Sequence, residues 1–285
     1  MRTSVSVLVL ACTVAACGGR AHDEPDAFHW QTQVEPGTTL HLSTVTGRID
    51  VAPAPDRQLR VTGSTHSVGR NPIHFASRQD GDEVYVCALW RSRGNCSNNG
   101  DSFGSGHSWL DMFSLFKHRS SGGEASIKVE LPPGVSVEAH TTNGPISVVG
   151  TRGGVKARTL NGSIKIQNAA GPIDAKATNA SIDVSLDSLG PEDQITLKTI
   201  NGSTTVIAPA GVEGDVRLRT VNGSVRSDFP ITSEGRSSSH ELRGQIGQSS
   251  REITIETVNG NVSLLKANGA SKRAEAQALE LRPRS

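Results

Sequence analysis

Thr141-Thr142-Asn143-Gly144-Pro145-Ile146-Ser147-Val148 is followed 18 residues later by Thr159-Leu160-Asn161-Gly162-Ser163-Ile164-Lys165-Ile166. The motif T-x-N-G returns, in full or nearly so, around Asn179, Asn201, Asn222 and Asn259, the successive intervals being 18, 18, 22, 21 and 37 residues. Six copies at such spacing mark a repeat architecture. Six residues before each Asn stand Val137, Val155, Ile173, Ile195, Val216 and Ile253, and four before it Ala139, Ala157, Ala175, Leu197, Leu218 and Ile255. Three after it stand Ile146, Ile164, Ile182, Thr204, Val225 and Val262, and five after it Val148, Ile166, Val184, Val206, Ser227 and Leu264. Apolar positions of period two on both sides of Asn-Gly give each repeat two short strands, each with one buried face.

Two architectures satisfy these faces. Asn-Gly is the favoured pair of a two-residue type I′ hairpin, which would make antiparallel hairpin repeats. A parallel β-solenoid, right-handed and β-helix-like, would instead use each repeat as one rung and Asn-Gly as a corner. The solenoid is preferred, because Thr recurs two residues before the Asn in five of six copies. A hairpin has no use for that Thr, whereas rungs stacked ~4.8 Å apart align identical polar side chains into hydrogen-bonded ladders. Roughly four aliphatic side chains per rung, at ~1.5–3 kcal/mol each, are too few for one rung to persist alone, so the rungs must stack.

A degenerate copy precedes the six. Pro36-Gly37 through Val51 aligns without gaps on Pro133-Gly134 through Val148, an offset of 97 residues, with Thr46 in place of the Asn. The chain then divides into an N-terminal β region over 28–92, with strands such as Gln58–Thr62 and Glu83–Leu89, a Gly/Ser/Asn-rich insertion over 93–123, a T-x-N-G solenoid over 124–265, and a charged tail over 266–285. The 37-residue interval holds Ser233 to Ser250, rich in Ser, Gly and Arg, which reads as an inserted loop or a degenerate repeat. Composition agrees with an all-β class: 35% of residues are hydrophobic and 30 are glycine, which favours short strands and turns over long helices. The net charge of +1 and the absence of a basic tract argue against nucleic acid as a partner.

The N-terminus reads as an export signal. Arg2 precedes an apolar run from Val5 to Ala16 that is too short to span a bilayer but suits a secretory h-region. It ends in Val14-Ala15-Ala16-Cys17-Gly18, which resembles the lipobox of bacterial lipoproteins, so residues 1–17 form a lipoprotein signal peptide with Cys17 as the lipidated residue. Cys12 is a weaker candidate, its apolar run being about half the usual length. Residues 18–27, GGRAHDEPDA, then form a flexible tether to an outer-membrane or periplasmic face, and the membrane is a partner through the lipid. With Cys12 removed and Cys17 acylated, Cys87 and Cys96 remain as an even pair in an oxidising compartment, expected as a local disulfide, a free thiol pair being the alternative.

The T-x-N-G-x-I pattern, the P-G-x-x-[LV] lead-in and the lipobox together resemble a bacterial adhesin-type β-strand-repeat family of envelope proteins whose function is unknown. The resemblance covers residues 28–265. It implies a right-handed β-helix-like fold and an adhesin-like role, and it carries no catalytic residues.

No catalytic site, metal site or cofactor is read from the residues. Gly100-Asp101-Ser102-Phe103 resembles the nucleophile block of GDS-type esterases, but it follows Asn-Cys-Ser-Asn-Asn instead of an apolar strand. The D-x-x-H that should lie near the C-terminus occurs only as Asp26–His29. The nine histidines are scattered, none at strand or helix spacing with a carboxylate as a third member. The outward acids Glu138, Asp174, Asp183 and Glu256 do not fall in one column on adjacent rungs, as a glycan-cleaving β-helix enzyme would need.

Two features remain as candidate sites. On the outward face, three residues before each Asn, His140, Arg158, Lys176, Lys198 and Arg219 precede a final Glu256, and Lys156 and Arg217 add to them from five before. Stacked rungs would make of Lys156, Arg158, Lys176, Lys198, Arg217 and Arg219 a basic column suited to an anionic partner, or a solvated face whose long stems shield the sheet. The second is aromatic: Trp109, Phe113 and Phe116, with Trp90 and Phe103, crowd the insertion as a partner or membrane loop, or as a cap on the solenoid end. The expectation is therefore a non-enzymatic envelope lipoprotein presenting a β-solenoid surface to an anionic glycan or an envelope protein. A glycan-processing β-helix enzyme and a regulatory partner in envelope-stress signalling are the alternatives.

Overall fold

The computed structural model describes residues 28–67, 73–89, 96, 123–233 and 238–267. The lipobox with Cys17, the tether, the Gly100–Phe103 string, the aromatic candidates Trp109, Phe113 and Phe116, and residues 268–285 of the charged tail lie outside the described residues. Among the described residues, twenty-one strands follow in chain order. The first seven are β1 (Phe28–Gln33), β2 (Thr39–Thr46), β3 (Ile49–Pro53), β4 (Gln58–Ser67), β5 (His74–Asp80), β6 (Glu83–Leu89) and β7 (Gly123–Leu131). Then come β8 (Ser136–Asn143), β9 (Ile146–Val149), β10 (Val155–Asn161), β11 (Ile164–Ala170), β12 (Ile173–Ala177), β13 (Ile182–Ser188), β14 (Ile195–Asn201) and β15 (Thr204–Ala208). The last are β16 (Gly214–Arg219), β17 (Val225–Ser227), β18 (Thr232–Ser233), β19 (Glu241–Ile246), β20 (Glu252–Asn259) and β21 (Val262–Lys266).

The strands form two facing sheets. Sheet A runs β1-β4-β7-β3-β9-β11-β13-β15-β21-β17, and sheet B runs β18-β19-β16-β20-β14-β12-β10-β8-β2-β6-β5. Each repeat gives one strand to sheet B, turns at its Asn-Gly corner and gives the next to sheet A. Neighbouring repeats pair in parallel and in register: Val155 sits on Val137 and on Ile173, and Ile164 on Ile146 and on Ile182. The repeats are therefore solenoid rungs and not hairpins. The alternating apolar positions point between the sheets, where Val137, Ala139, Ile146, Val148, Ile164, Ile166, Ile195 and Leu197 are buried in one continuous core.

Polar ladders fix the corners, in two forms. The Asn side chains bond to one another along the axis: Asn161 donates to Asn143 at 2.8 Å, Asn179 to Asn161 at 2.9 Å and Asn201 to Asn179 at 2.8 Å. The recurrent Thr does not bond to the next Thr. Its hydroxyl donates to the carbonyl at the corner of the adjacent rung, as Thr159 does to Gly144 at 3.3 Å and Thr257 to Gly202 at 2.9 Å. The rungs approach so closely here that a Cβ on Gly162 would lie 2.0 Å from the Gly144 oxygen.

The order of rungs in space departs from their order in sequence at both ends. The last rung, β20–β21, enters between β14–β15 and β16–β17. The interval of 37 residues is thus filled by the β18–β19 pair, which flanks β16 antiparallel before the chain returns to the gap. Likewise β2–β3 lies inside, between β8–β9 and the rung of β6 and β7. The alignment of residues 36–51 at an offset of 97 is the observed register, with Leu40 on Val137 and Thr46 on Asn143.

The division drawn between 28–92 and 124–265 is consequently one of sequence and not of fold. Residues of the expected N-terminal region make a rung inside the solenoid, β2–β3. Among the described residues, antiparallel strands appear as flanks: β5 on β6, β4 on β7 with β1 on β4, and β19 on β16 with β18 on β19.

Candidate functional site: the outer face of sheet B

Residues three and five before each Asn point outward from sheet B, as their spacing requires. The structure does not leave them as a basic column. Glu256 stands between the rungs of Lys198 and Arg219, since β20 lies between β14 and β16. Glu138, Lys156 and Asp174 occupy adjacent rungs of one column, so opposite charges alternate along it. Lys156 reaches Glu138 at 2.8 Å, Arg158 reaches Asp174 at 3.1 Å and Glu138 at 3.7 Å, and Lys176 reaches Asp174 at 3.3 Å. Lys198 and Arg217 share Glu256 at 3.0 and 3.6 Å. Of the six cations expected to attract an anion, five are thus ion-paired. Arg219 is exposed and makes no ion pair among the described residues.

The absence of a histidine–carboxylate constellation is also corrected. Register brings Thr39 against Glu83 and His41 against Glu138, so His41 lies between two carboxylates. Its Nε2 meets Glu83 and its Nδ1 lies 3.5 Å from Glu138, while His140 Nε2 is 2.8 Å from the same Glu138. The imidazole of His41 stacks on Tyr85 with ring centres 4.6 Å apart. Part of this cluster was legible, because Glu138 and His140 are two apart on one strand and the 97-residue offset maps His41 onto Glu138. Glu83 was not, because nothing in the repeat pattern pairs β6 with β2. Among the described residues, no group of three or more His, Cys, Asp or Glu is placed to hold a metal ion.

Electrostatics make this cluster a fixed anion beside a neutral ring. Burial would raise the Glu138 carboxyl, but hydrogen bonds from His140 and Lys156 and their charges outweigh it and hold it at about 2. Burial of His140 pushes its imidazole below the usual value, against the opposing pull of Glu138. The two act in sequence on acidification: near neutrality Glu138 is ionised and His140 uncharged, and protonation of the buried ring reinforces the carboxylate only at lower pH.

An open groove of about 460 Å³ runs along the axis at the strand starts, lined by Thr39, Ser136, Glu138, Lys156, Asp174 and Thr196 among others. It crosses five rungs, and its walls carry hydroxyls and alternating, mutually paired charges. At its N-terminal end the outer face is covered: Cys96, disulfide-bonded to Cys87 with Cα atoms 5.7 Å apart, packs with Tyr85.

The family model described as Toastrack DUF4097 matches residues 104–265, more than half of the 285-residue chain. The chain belongs to the Toastrack DUF4097 family. The Toastrack match begins within the insertion, so β2, β3 and β6 lie outside it although they continue the same register. Two solved structures are similar to the chain. A candidate cell adhesion protein of Clostridium sporogenes is 13% identical, with 85% of this chain and 100% of that one covered at a TM-score of 0.45. A candidate adhesin of Bacteroides fragilis is 10% identical, with 86% of this chain and 98% of that one covered at a TM-score of 0.25. No curated protein matches the chain.

Proposed function

We propose that this Toastrack chain is a non-enzymatic, adhesin-like lipoprotein of the bacterial envelope that holds a linear glycan in the groove along sheet B. The observation that carries the reading is the groove itself: it is open at the surface and sets the hydroxyl and amide groups of Thr39, Ser136, Gln194 and Thr196, suited to sugar hydroxyls, beside the apolar Val137, Val155, Pro172 and Ile173, suited to sugar ring faces. Its charges satisfy one another, so the groove itself meets the sugar hydroxyls of a glycan and does not select for its charged substituents. The solenoid beneath is rigid, which limits the ordering cost on binding to the ligand. The lipobox ending in Cys17 supports export and anchoring.

A non-catalytic role agrees with the chemistry of the groove. A glycosidase needs a carboxylic acid kept protonated to serve its leaving group, whereas Glu138 is held ionised by His140 and Lys156. The test is retention of purified protein on neutral β-linked glycan, chitin oligosaccharide being the probe. Thr196→Trp, which fills the groove from a half-buried outward position, is expected to reduce retention at least tenfold with the thermal midpoint unchanged. Equal retention by the variant would overturn the groove, and release of shortened oligosaccharide would overturn the non-enzymatic reading.

A further inference from the structure

We propose that Arg217, Arg219 and Arg243 form an anion subsite at the C-terminal end of sheet B, taking the carboxylate or sulfate groups of an acidic glycan. The inference rests on the glycan reading of the groove and specifies the charged substituents that the glycan would carry.

Three observations meet at this place. First, β16 and β19 pair antiparallel with Arg217 directly opposite Arg243, and both point away from the core while Val216, Gly244 and Ile246 point into it. Directly opposed like charges, with Cβ atoms ~4.5–5.5 Å apart, destabilise a sheet, and the Glu256 that Arg217 shares reaches it from β20, on the side away from Arg243. Second, Arg219 follows two residues after Arg217 on the same face, so three arginines lie on adjacent positions of two paired strands, with Glu256 and Glu241 as the strand neighbours of Arg219. Arginine forks suit planar and tetrahedral oxyanions, which they can grip with two parallel hydrogen bonds. Third, these charges are not absorbed as those of the middle rungs are. Arg217 shares Glu256 with Lys198, and among the described residues Arg219 and Arg243 make no ion pair, although Glu241 is the strand partner of Arg219. The middle rungs have settled their charges internally, whereas at this end, among the described residues, only Arg217 of the three arginines is ion-paired.

The setting favours a glycan over a lipid surface. The patch lies on sheet B one strand, β20, beyond the Lys198 and Thr196 of β14, where the groove ends, so a polymer along the axis reaches both. The exposed apolar residues at its rim are Val221 and Val258, too little area to hold a bilayer. Strand order also places the patch at the end of the molecule remote from β1.

The experiment measures affinity at low salt for polygalacturonate, dextran sulfate and neutral chitin oligosaccharide. The variants are Arg219→Gln with Arg243→Gln, and each alone, all at exposed positions so that folding is retained. The double variant is expected to bind both acidic glycans at least tenfold more weakly, to lose most of the salt dependence, and to bind the neutral oligosaccharide as before. Unchanged affinity for the acidic glycans would overturn the subsite. Equal or tighter arginine-dependent binding to phosphatidylglycerol vesicles or polyglutamate would overturn the choice of glycan. Loss of neutral binding in Thr196→Trp but not in the arginine variants tests the groove separately, so failure of either idea is distinguishable from failure of the other.

Discussion

Asn259 donates its side-chain amide to Asn201 at 2.7 Å across 58 residues of sequence, and accepts at 2.7 Å from Asn222, which precedes it in the chain. The final repeat is thus inserted as the penultimate rung, bonded on both sides. Its counterpart at the other end is β2–β3. In both cases the terminal segment of the repeat array is held between two neighbours, where an ordinary solenoid would leave it as a fraying edge.

Asn259→Ala removes two ladder bonds at once, whereas Asn143→Ala removes the one that Asn161 donates. The first should cost about 1–2 kcal/mol and the second about half as much, read by urea denaturation. Equal losses would mean that the ladder contributes little.

Gly144→Ala would set a Cβ 2.0 Å from the Gly47 carbonyl oxygen, at a φ of +153°. Neither the backbone of the next rung nor the corner can yield without breaking the ladder, so a loss of about 3 kcal/mol or more is expected. Gly37→Ala, with a φ of +95° but nothing within 4 Å, should cost only the conformational part, about 1 kcal/mol. The difference between the two thermal midpoints measures the rung contact itself.

Arg251 is buried and, among the described residues, binds no carboxylate. Its Nε lies 3.0 Å from the Gly190 carbonyl, one Nη 2.9 Å from that of Glu213 and the other 3.3 Å from that of Leu189. It therefore ties the inserted rung to the loops leading into the rungs on both sides. Arg251→Met should cost about 2–4 kcal/mol, because it removes the guanidinium from the Glu213 and Leu189 carbonyls and leaves Gly190 O only the Asp193 amide, and should accelerate amide exchange in β20.

Thr204 occupies a core position between Ile182 and Val262, and its Oγ is buried without a hydrogen-bond partner among the described residues. Thr204→Val keeps the shape and removes the unsatisfied hydroxyl. A gain of about 1 kcal/mol is expected in chemical denaturation.

Stability should fall on acidification in two stages. Burial holds the folded-state His140 imidazole below its usual 6.5, so the unfolded chain takes up the proton first and stability declines as pH drops below about 6.5. Glu138 is lowered from 4.5 to about 2, so its contribution is present above about 4.5 and is lost as pH falls towards 2. After allowance for partial solvent screening the second stage is worth about 2 kcal/mol. Glu138→Gln should flatten the profile below pH 4.5, and His140→Gln the portion just below neutrality.

Much of the candidate face was legible one strand at a time. That Lys156, Arg158, Lys176 and Lys198 point outward follows from period two. That their charges are largely neutralised does not, because Glu138, Asp174 and Glu256 meet them only across rungs. Arg243 was hidden more completely, since it lies in the segment between Ser233 and Ser250 that the repeat pattern leaves out.

The sequence by itself determined the rung: its two strands, its buried columns, its Asn-Gly corner and the 97-residue register that places Leu40 on Val137. These depend on alternation within a strand and on likeness between neighbours, both of which are written in the residues. Only the tertiary structure decided which rung lies beside which. Every rung offers nearly the same backbone edge and the same Asn and Thr ladder, so the repeat motif carries no address. The insertion of β20–β21 ahead of β16–β17 is settled by non-repeating contacts, the β18–β19 flank and the three carbonyls held by Arg251. The charge left on the outer face follows from that order.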